Sequence, residues 1–454
     1  MGIVDIILFP FYVLLFYLFF AARRKKITDP ILKKYHLHGF WIKIFSCIAF
    51  TLFNYYVYIG DSLVLYYDEG VHLQQLILND ASHIKWLFSA GKDFDQNLLF
   101  NTLNKGYFVS DSNFFIAKLV CVFSFFSFGS YSIINLFFSL ISFTGVWRLF
   151  KFFYELYPHL HKKLAIAIIY LPTFVFWSSG ILKDPICTAM IGFLTYAMYS
   201  MVIKKEAVVK NSFVIVLSAY VLGLVKSYIL VSYLPFLILF ILLLKLKLLQ
   251  KVASKIFLLL SLLFLGLMGS LVVADRLQEE MGSLAFDKIS ESVQQTQSNF
   301  INMADLAESS FSLGVEFDGS PSSLVKMAPA AINATLFRPY IWESKKISTL
   351  LSSLESLALM LLTLFVVFKV GITTFVGSIF KSPVILYCFF FSILFAVFVG
   401  ATTLNFGTLV RYKIPCMPFY IIAMLLILER KKALKIKAAL KKELANSQQI
   451  ESEP

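Results

Sequence analysis

Charged residues are scarce in this chain, and their scarcity excludes an ordinary water-soluble domain. Only 15% of the 454 residues are Asp, Glu, Lys or Arg, whereas 59% are hydrophobic and the mean hydropathy is +0.77. Soluble globular domains carry about 25% charged residues. Apolar runs near the length that crosses a bilayer as a helix, about 20 residues, recur from end to end. The composition therefore predicts an all-α, polytopic membrane helix bundle.

Cysteine is also sparse, and its spacing excludes a disulfide framework or a cysteine-based metal site. The five cysteines form no CxxC pair and lie in or beside apolar runs, so we expect buried free thiols. The sequence also lacks an evident internal repeat and a cleavable signal. Its first apolar run has no basic segment before it and continues into Arg23-Arg24-Lys25-Lys26, which is typical of a stop-transfer flank.

The apolar runs predict about eleven membrane crossings. Candidate spans are 3–22, 40–59, 113–128, 131–147, 164–179, 185–203, 211–230, 232–248, 256–274, 347–369, 383–400 and 410–428. The break at Gly129-Ser130 suggests that one of the two spans around it is interfacial or re-entrant. That arrangement keeps the basic stretch 148–163 on the cytoplasmic side.

Basic clusters orient these spans and account for most of the net charge of +14, so nucleic acid is not implied as a partner. The cytoplasmic clusters are Arg23 to Lys26, Lys204-Lys205, Lys245 to Lys255 and Arg430 to Lys432. We therefore expect an external N-terminus, two long external loops at 60–112 and 275–346 within a bundle of residues 1–430, and a basic, cytoplasmic tail at 431–454. The tail has the pattern of an amphipathic helix on the inner leaflet.

Two adjacent acids open the first external loop. Asp68 and Glu69 follow Tyr66-Tyr67, and His72 comes one helical turn after Asp68. A carboxylate here can deprotonate an acceptor hydroxyl or hold a divalent cation, Mg²⁺ or Mn²⁺, against a diphosphate. Both acids are therefore candidate catalytic residues, with His72 as a candidate substrate contact. The alternative is that they are solvated interface residues, which is also the role we expect of Asp61.

A second candidate motif, Lys183-Asp184-Pro185, follows Trp177-Ser178-Ser179-Gly180 at the end of an apolar run. Lys183 and Asp184 at the outer end of packed spans could bind a phosphate and its partner cation. Alternatively, Lys183 snorkels to the lipid headgroups and Asp184 caps the next helix. Lys226 stands alone in its apolar run, where a lysine is costly and often functional unless it snorkels.

Two later segments add candidate substrate-binding residues. The segment that ends the second loop contains Arg338, Trp342 and Glu343, and the outer end of the last span contains Arg411 and Lys413. Arginine makes bidentate contacts to phosphate, and tryptophan stacks on sugar rings or lies at the membrane interface. Because the charge-based topology places all of these candidates outside, we expect them to approach one external site near Asp68.

This layout resembles the GT-C superfamily of polytopic glycosyltransferases. The resemblance is carried by the Asp68-Glu69 pair in a first long outer loop and by the run from Ser112-Asn113-Phe114-Phe115 through Phe128-Gly129-Ser130-Tyr131 to Arg148. It implies Asp68 as the base, a polyprenyl-phosphate sugar as donor, and Arg338, Arg411 and Lys413 as phosphate contacts. The chain departs from the family in having an extra first span, no large soluble C-terminal domain and no Pro-Pro after the loop.

The motifs Phe176 to Asp184 and Arg338 to Glu343 also resemble those of inner-membrane proteins from bacterial surface-polysaccharide clusters. We therefore expect a multi-pass protein of the bacterial inner membrane, with membrane lipids, a lipid-linked sugar and a glycan, lipid or protein acceptor as partners. Two alternatives remain open at this point. One is a polymerase or ligase of lipid-linked oligosaccharides, and the other is a transporter or flippase, which typically has broken helices and midplane charges.

Overall fold

The computed structural model describes residues 3–101, 104–245, 311–314, 321–344 and 347–451. These residues form helices and connecting turns, and no β-strand is found among them. The predicted all-α, polytopic helix bundle is therefore confirmed. The expected span 256–274 and most of the second long loop lie outside the described residues.

The first half of the bundle consists of apolar helices with short connections. They are α1 (Ile3–Lys25), α2 (Pro30–Tyr56), α3 (Asp68–Asn79), α4 (Asp111–Ser127), α5 (Tyr131–Leu156), α6 (His161–Ile168), α7 (Pro172–Trp177), α8 (Lys183–Tyr199) and α9 (Val208–Lys245). Several begin with the expected signals: Asp29 caps α2 through its side chain, and Pro30 and Pro172 occupy first helical positions.

The second half adds α10 (Pro321–Phe337), α11 (Ile347–Val370), α12 (Ile372–Lys381), α13 (Pro383–Thr402), α14 (Phe406–Tyr412) and α15 (Met417–Glu451). Helix α10 belongs to the stretch expected to be an external loop, yet it packs closely on α13. A side chain placed at Gly400 would approach the carbonyl oxygen of Ala331 to 2.2 Å, so the two backbones are nearly in contact. The expected basic tail continues α15 without a break, and its residues 432–440 are exposed.

Seven of the described helices are long and apolar enough to cross a membrane, or eight if the bent pair α14–α15 is one span. The expectation of about eleven included residues 256–274, which are not described. It also included 164–179, which the structure divides between α6 and α7, and two spans that α9 combines. The segment expected at 113–128 forms the 17-residue helix α4, which is shorter than the helices counted here as candidate membrane spans.

Helix α9 reverses direction at Lys226, where the backbone leaves helical geometry (φ −150°, ψ 81°). Its contacts with α8 show the reversal. Ser212 contacts Met201 just beyond the C-terminal end of α8, Lys226 contacts Asp184 at its N-terminal end, and Tyr233 contacts Thr195 on the way back. Lys226 is therefore at the tip of a helical hairpin and not in the middle of a span.

Close backbone packing fixes the position of α8 against α5. A side chain at Gly192 would lie 1.9 Å from the carbonyl oxygen of Gly145, and one at Gly145 would lie 2.2 Å from that of Ala189. Small residues allow membrane helices to approach this closely. The contact places the N-terminus of α8, which carries Lys183 and Asp184, at a defined end of the bundle.

Candidate functional site

The connection between α7 and α8 is buried and non-helical, and a lysine supports it. Lys43 of α2 donates to the carbonyl oxygen of Ser178 at 2.7 Å and to its Oγ at 2.5 Å, and it also contacts Ser142 and Ser179 at 3.1 and 3.3 Å. Irregular backbone at membrane depth is tolerated only where protein groups satisfy it. Lys43, which sequence reasoning did not select, supplies that support.

Two further contacts explain why the segment Ser178 to Leu182 keeps its path. The amide N–H of Ile181 donates to Asn135 of α5 at 2.8 Å. At Gly180, an added Cβ would lie 2.0 Å from the ring of Phe50. The motif therefore builds a tight support that presents Lys183 and Asp184 at the start of α8.

Asp184 is the centre of a buried ionic cluster. Its side chain is 0% exposed, and each carboxylate oxygen accepts from one cation: Oδ1 from Lys226 Nζ at 2.5 Å and Oδ2 from Arg411 Nε at 2.8 Å. A buried carboxylate requires such partners because desolvation strongly disfavours an isolated charge. The three residues come from the start of α8, the tip of the α9 hairpin and the end of α14.

Asp61 extends this cluster toward the surface. Its carboxylate lies 3.1 Å from Arg411 Nη1, so the expectation that it merely solvates a loop is wrong. Tyr107 lies nearby in the first loop, where burial, followed by the charge of Asp61, raises its pKa to about 12 and keeps the phenol protonated. The hydroxyl of Tyr228, two residues after Lys226, is buried with no hydrogen-bond partner among the described residues.

A second cluster surrounds Arg338. The guanidinium pairs with Glu343 through Nε, at 3.0 and 3.1 Å, and through Nη2, and its Nη1 donates to the carbonyl oxygen of Ser312 at 3.2 Å. The rings of Phe311 and Phe406 lie 4.4 and 5.1 Å from its central carbon. All three guanidinium nitrogens are therefore engaged within the protein.

Lys413 joins the two clusters. Its side chain is 0% exposed and donates to the carbonyl oxygen of Arg338 at 2.9 Å and to Ser356 Oγ at 2.7 Å. Because Arg411 is only two residues away, both clusters lie at the same end of the bundle. Trp342, by contrast, is 80% exposed and stacks on Tyr340 with the ring centres 4.9 Å apart.

Lys183 lies beside the ionic cluster, at the junction with the first loop. Its Nζ donates to Ser112 Oγ in α4 at 2.6 Å. Since Asp184 is committed to Lys226 and Arg411, the two neighbouring residues contact different elements. The structure therefore brings Lys183, Asp184, Arg338, Glu343, Arg411 and Lys413 to one end of the bundle, and their expected union in one external site near Asp68 stays a prediction.

Asp68 begins α3 at this same end, because only a π-helix (Ser62–Tyr67) separates it from Asp61. Its carboxylate is half-buried and has no hydrogen bond or ion pair among the described residues. Burial raises its pKa, and the neighbouring Glu69 carboxylate raises it further. Of these two acids, Asp61 contacts Arg411, whereas Asp68 is available to another group.

Glu69 has a different environment from its neighbour. It is 5% exposed and accepts from the backbone N–H groups of Phe100 and Asn101, at 2.9 and 3.0 Å, and from the Asn104 side chain at 2.9 Å. This carboxylate holds the distal part of the loop against α3. His72, one turn along, places its ring 5.6 Å from that of Phe100 and so packs on the same loop.

Neither a metal-binding group in the described part of the chain nor a similar protein assigns a function to this site. Among the residues that the structure describes, no group of three or more His, Cys, Asp or Glu side chains could hold a metal ion. Asp68 alone of the predicted acidic pair has an uncommitted carboxylate. Comparison of the chain with protein-family models, curated proteins and solved structures finds no match.

Proposed function

We propose that this membrane protein is a glycosyltransferase that moves a sugar from a polyprenyl-phosphate donor to an acceptor at the outer face of the bacterial inner membrane. In this proposal the N-terminus is external, the C-terminus is cytoplasmic, and the reaction serves surface-glycan synthesis. The observation that carries the proposal is the uncommitted carboxylate of Asp68, held on a clamped helix at the end of the bundle where the cationic clusters lie.

Asp68 has the properties that a general base requires. Its pKa is raised by burial and by the neighbouring Glu69 carboxylate, which increases its proton affinity, and its carboxylate is partly exposed to an incoming hydroxyl. Glu69 fixes the loop around it, so the base is positioned before substrate arrives. We therefore assign proton abstraction from the acceptor to Asp68 and loop positioning to Glu69.

Arg411 is the best candidate for the donor phosphate. It uses Nε for Asp184 and Nη1 for Asp61, while its Nη2 has no partner among the described residues. Arg338 has all its nitrogens engaged, and Lys413 is fully enclosed, so we assign both to holding the site together. Of the three residues expected to contact the phosphate, we therefore retain Arg411, whose Nη2 can donate a charge-assisted hydrogen bond to a phosphate oxygen.

Glycan transfer by purified protein with a polyprenyl-linked donor tests the base. Asp68→Asn should lower the rate about 10²- to 10⁴-fold, the usual cost of losing a general base, with donor binding unchanged. Asp93→Asn is the matched control, because Asp93 is an exposed acid of the same loop. Full activity of Asp68→Asn would overturn the assignment and favour a polymerase or ligase that needs no acid.

Arg411→Lys tests the phosphate contact separately. Lysine preserves a charge for Asp184 but loses the planar fork, so donor binding should weaken while the protein remains folded. Arg430→Lys serves as the control, because Arg430 lies more than three helical turns into α15, away from Arg411 in α14. Donor binding of Arg411→Lys equal to that of the wild type would remove Arg411 from the site.

One feature favours a second candidate, a lipid-linked-sugar transporter. Helical geometry is interrupted at Lys226, between α7 and α8, and between α14 and α15, which meet at 62°. Interrupted helices that meet at a charged cluster are typical of transporters. However, Lys226 lies at a hairpin tip and not in mid-span. Proteoliposomes loaded with a fluorescent polyprenyl-diphosphate sugar discriminate the two functions: movement between leaflets that Asp68→Asn leaves intact would favour transport.

A further inference from the structure

Outside the proposed site, a cavity of about 500 Å³ lies at the opposite end of the bundle. It is bordered by the C-terminal parts of α1, α5 and α8 and by the N-terminal parts of α2 and α9. Asp184 marks the other end of α8, so this cavity is separate from the Asp184 cluster. The charge pattern predicts that this end faces the cytoplasm.

Cations outnumber acids among the charged side chains of the lining. Arg23, Arg148, Lys151 and Lys210 face the cavity, against a single acid, Glu206. Glu206 also lies 3.2 Å from Lys204, so its charge is already shared. The cavity consequently carries an excess of positive charge.

Arg148 is the central observation. It is partly buried on α5, with the ring of Phe193 4.7 Å from its central carbon, and it has neither a hydrogen bond nor an ion pair among the described residues. Arg23 likewise contacts only an aromatic ring there, that of Phe19 at 4.6 Å. A guanidinium has five donors, and leaving them unused in a partly buried site costs free energy unless an anion accepts them.

The other side chains of the lining indicate which class of anion fits the cavity. Lys151 is paired with Glu155 at 3.7 Å, so Arg148 is the partly buried cation of the lining that lacks an acid among the described residues, whereas Arg23 and Lys210 are exposed. The walls between the two arginines are aromatic, formed by Phe143, Trp147 and Tyr196. A phosphate or diphosphate ester matches both parts, since its oxygens accept from guanidinium forks and its organic group packs on rings.

We propose that this cavity is a second binding site, for a phosphate or diphosphate ester, with Arg148 and Arg23 as the anion contacts. The ester can be the headgroup of a membrane lipid or a soluble nucleotide, and both present the same chemistry to the arginines. The site does not depend on the transferase proposal, because none of its residues belongs to the Asp68 or Asp184 environments.

Binding measurements on the purified full chain test the site and distinguish its two sources. In one arm, uridine diphosphate is titrated into protein in phosphatidylcholine nanodiscs, with Trp147 fluorescence as the local readout and Trp147→Phe to confirm the source of the signal. In the other arm, protein in detergent is exposed to polyprenyl phosphate, and bound lipid is counted by native mass spectrometry. Each arm is repeated with Arg148→Gln, Arg23→Gln and Lys162→Gln, the last being an exposed cation of the same end.

We expect binding in at least one arm, weakened about ten- to hundredfold by Arg148→Gln, since a hydrogen bond to a charged group is lost. Lys162→Gln should bind as the wild type does. Binding of uridine diphosphate alone assigns a soluble ester, and binding of polyprenyl phosphate alone assigns a lipid headgroup. Arg23→Gln provides the same test if Arg148→Gln does not fold, because Arg23 is exposed. Absence of binding in both arms, or binding unaffected by the arginine substitutions, would overturn the proposal.

Discussion

The ionic cluster around Asp184 allows a quantitative prediction of stability. In Asp184→Asn the amide offers one acceptor oxygen where the carboxylate offers two, and it turns an NH₂ group toward Lys226 or Arg411. Both cations then lose their shared buried counter-charge, and only Arg411 keeps an acid, Asp61. Removing one partner of a buried ion pair costs about 3–5 kcal/mol, so we expect a loss of this size in the free energy of unfolding.

Lys226→Met should cost less, about 1.5–3 kcal/mol, because Asp184 retains its bond to Arg411 at 2.8 Å. The double variant Asp184→Asn/Lys226→Met contains no uncompensated lysine. Its loss in the free energy of unfolding should therefore be smaller than the sum of the losses of the two single variants. Residues that share one network typically show coupling of about 0.5–3 kcal/mol. The Asp184–Lys226 pair belongs at the upper end of this range because both side chains are buried.

The assay uses the five free cysteines, all of which are buried in the described structure. A thiol-reactive fluorophore reports unfolding of the detergent-solubilised protein, and denaturation in mixed micelles gives the free-energy differences. Asp93→Asn again serves as an exposed control. The prediction would be refuted if Asp184→Asn were as stable as the wild type, or if the losses of the two single variants simply added. The cluster would then not stabilise the fold in the way that its burial and geometry indicate.

Three further predictions concern the support and the loop. Gly180→Ala should destabilise the protein by about 1–3 kcal/mol because the new Cβ would overlap the ring of Phe50. Gly377→Ala is the control and should not destabilise it, because the space around Gly377 is open. Thermal unfolding of the two variants compares them. Glu69→Gln should accelerate hydrogen exchange of the loop amides that donate to it, and unchanged exchange would contradict the clamp. Because protonation removes the base, activity should fall as the pH drops through the pKa of Asp68. That pKa is raised above 3.8, so the acid limb of kcat/KM should lie at higher pH than for an ordinary aspartate and should be lost in Asp68→Asn.

The all-α membrane fold class and the positions of the charged residues relative to the apolar runs could be predicted from the sequence, because both depend on local composition. Apolar runs of bilayer length must form helices whatever their neighbours are, since unpaired backbone groups are too costly in lipid. The long loop after the second span is itself partly helical, with α3 and the 3₁₀-helix Ala81–Leu87. The charge-based topology predicted Lys183, Asp184, Arg338 and Arg411 on one side, and the structure places them at one end of the bundle.

The tertiary structure decided which donors each carboxylate of the first loop contacts. Asp61 and Asp68 occupy similar sequence contexts, yet only Asp61 contacts Arg411, because the intervening π-helix sets which acid faces the cluster. Glu69 and Asp68 are adjacent, yet one is enclosed by the loop and the other is open to a substrate. A sequence pattern reports residue types and spacing, but a carboxylate's role depends on which donors three-dimensional packing brings to it.

The sequence by itself therefore determined that this chain is a helical membrane protein with its conspicuous ionisable residues near one face. Only the tertiary structure decided that Lys226 is a hairpin tip paired with Asp184, that Lys43 supports the buried connection between α7 and α8, and that Arg148 faces a cavity with no acidic partner among the described residues. The physical reason is that helix formation is local, whereas the pairing of buried charges requires groups that are distant in the chain. The Arg411–Asp61 pair, joining residues 350 positions apart, is formed only by the complete bundle.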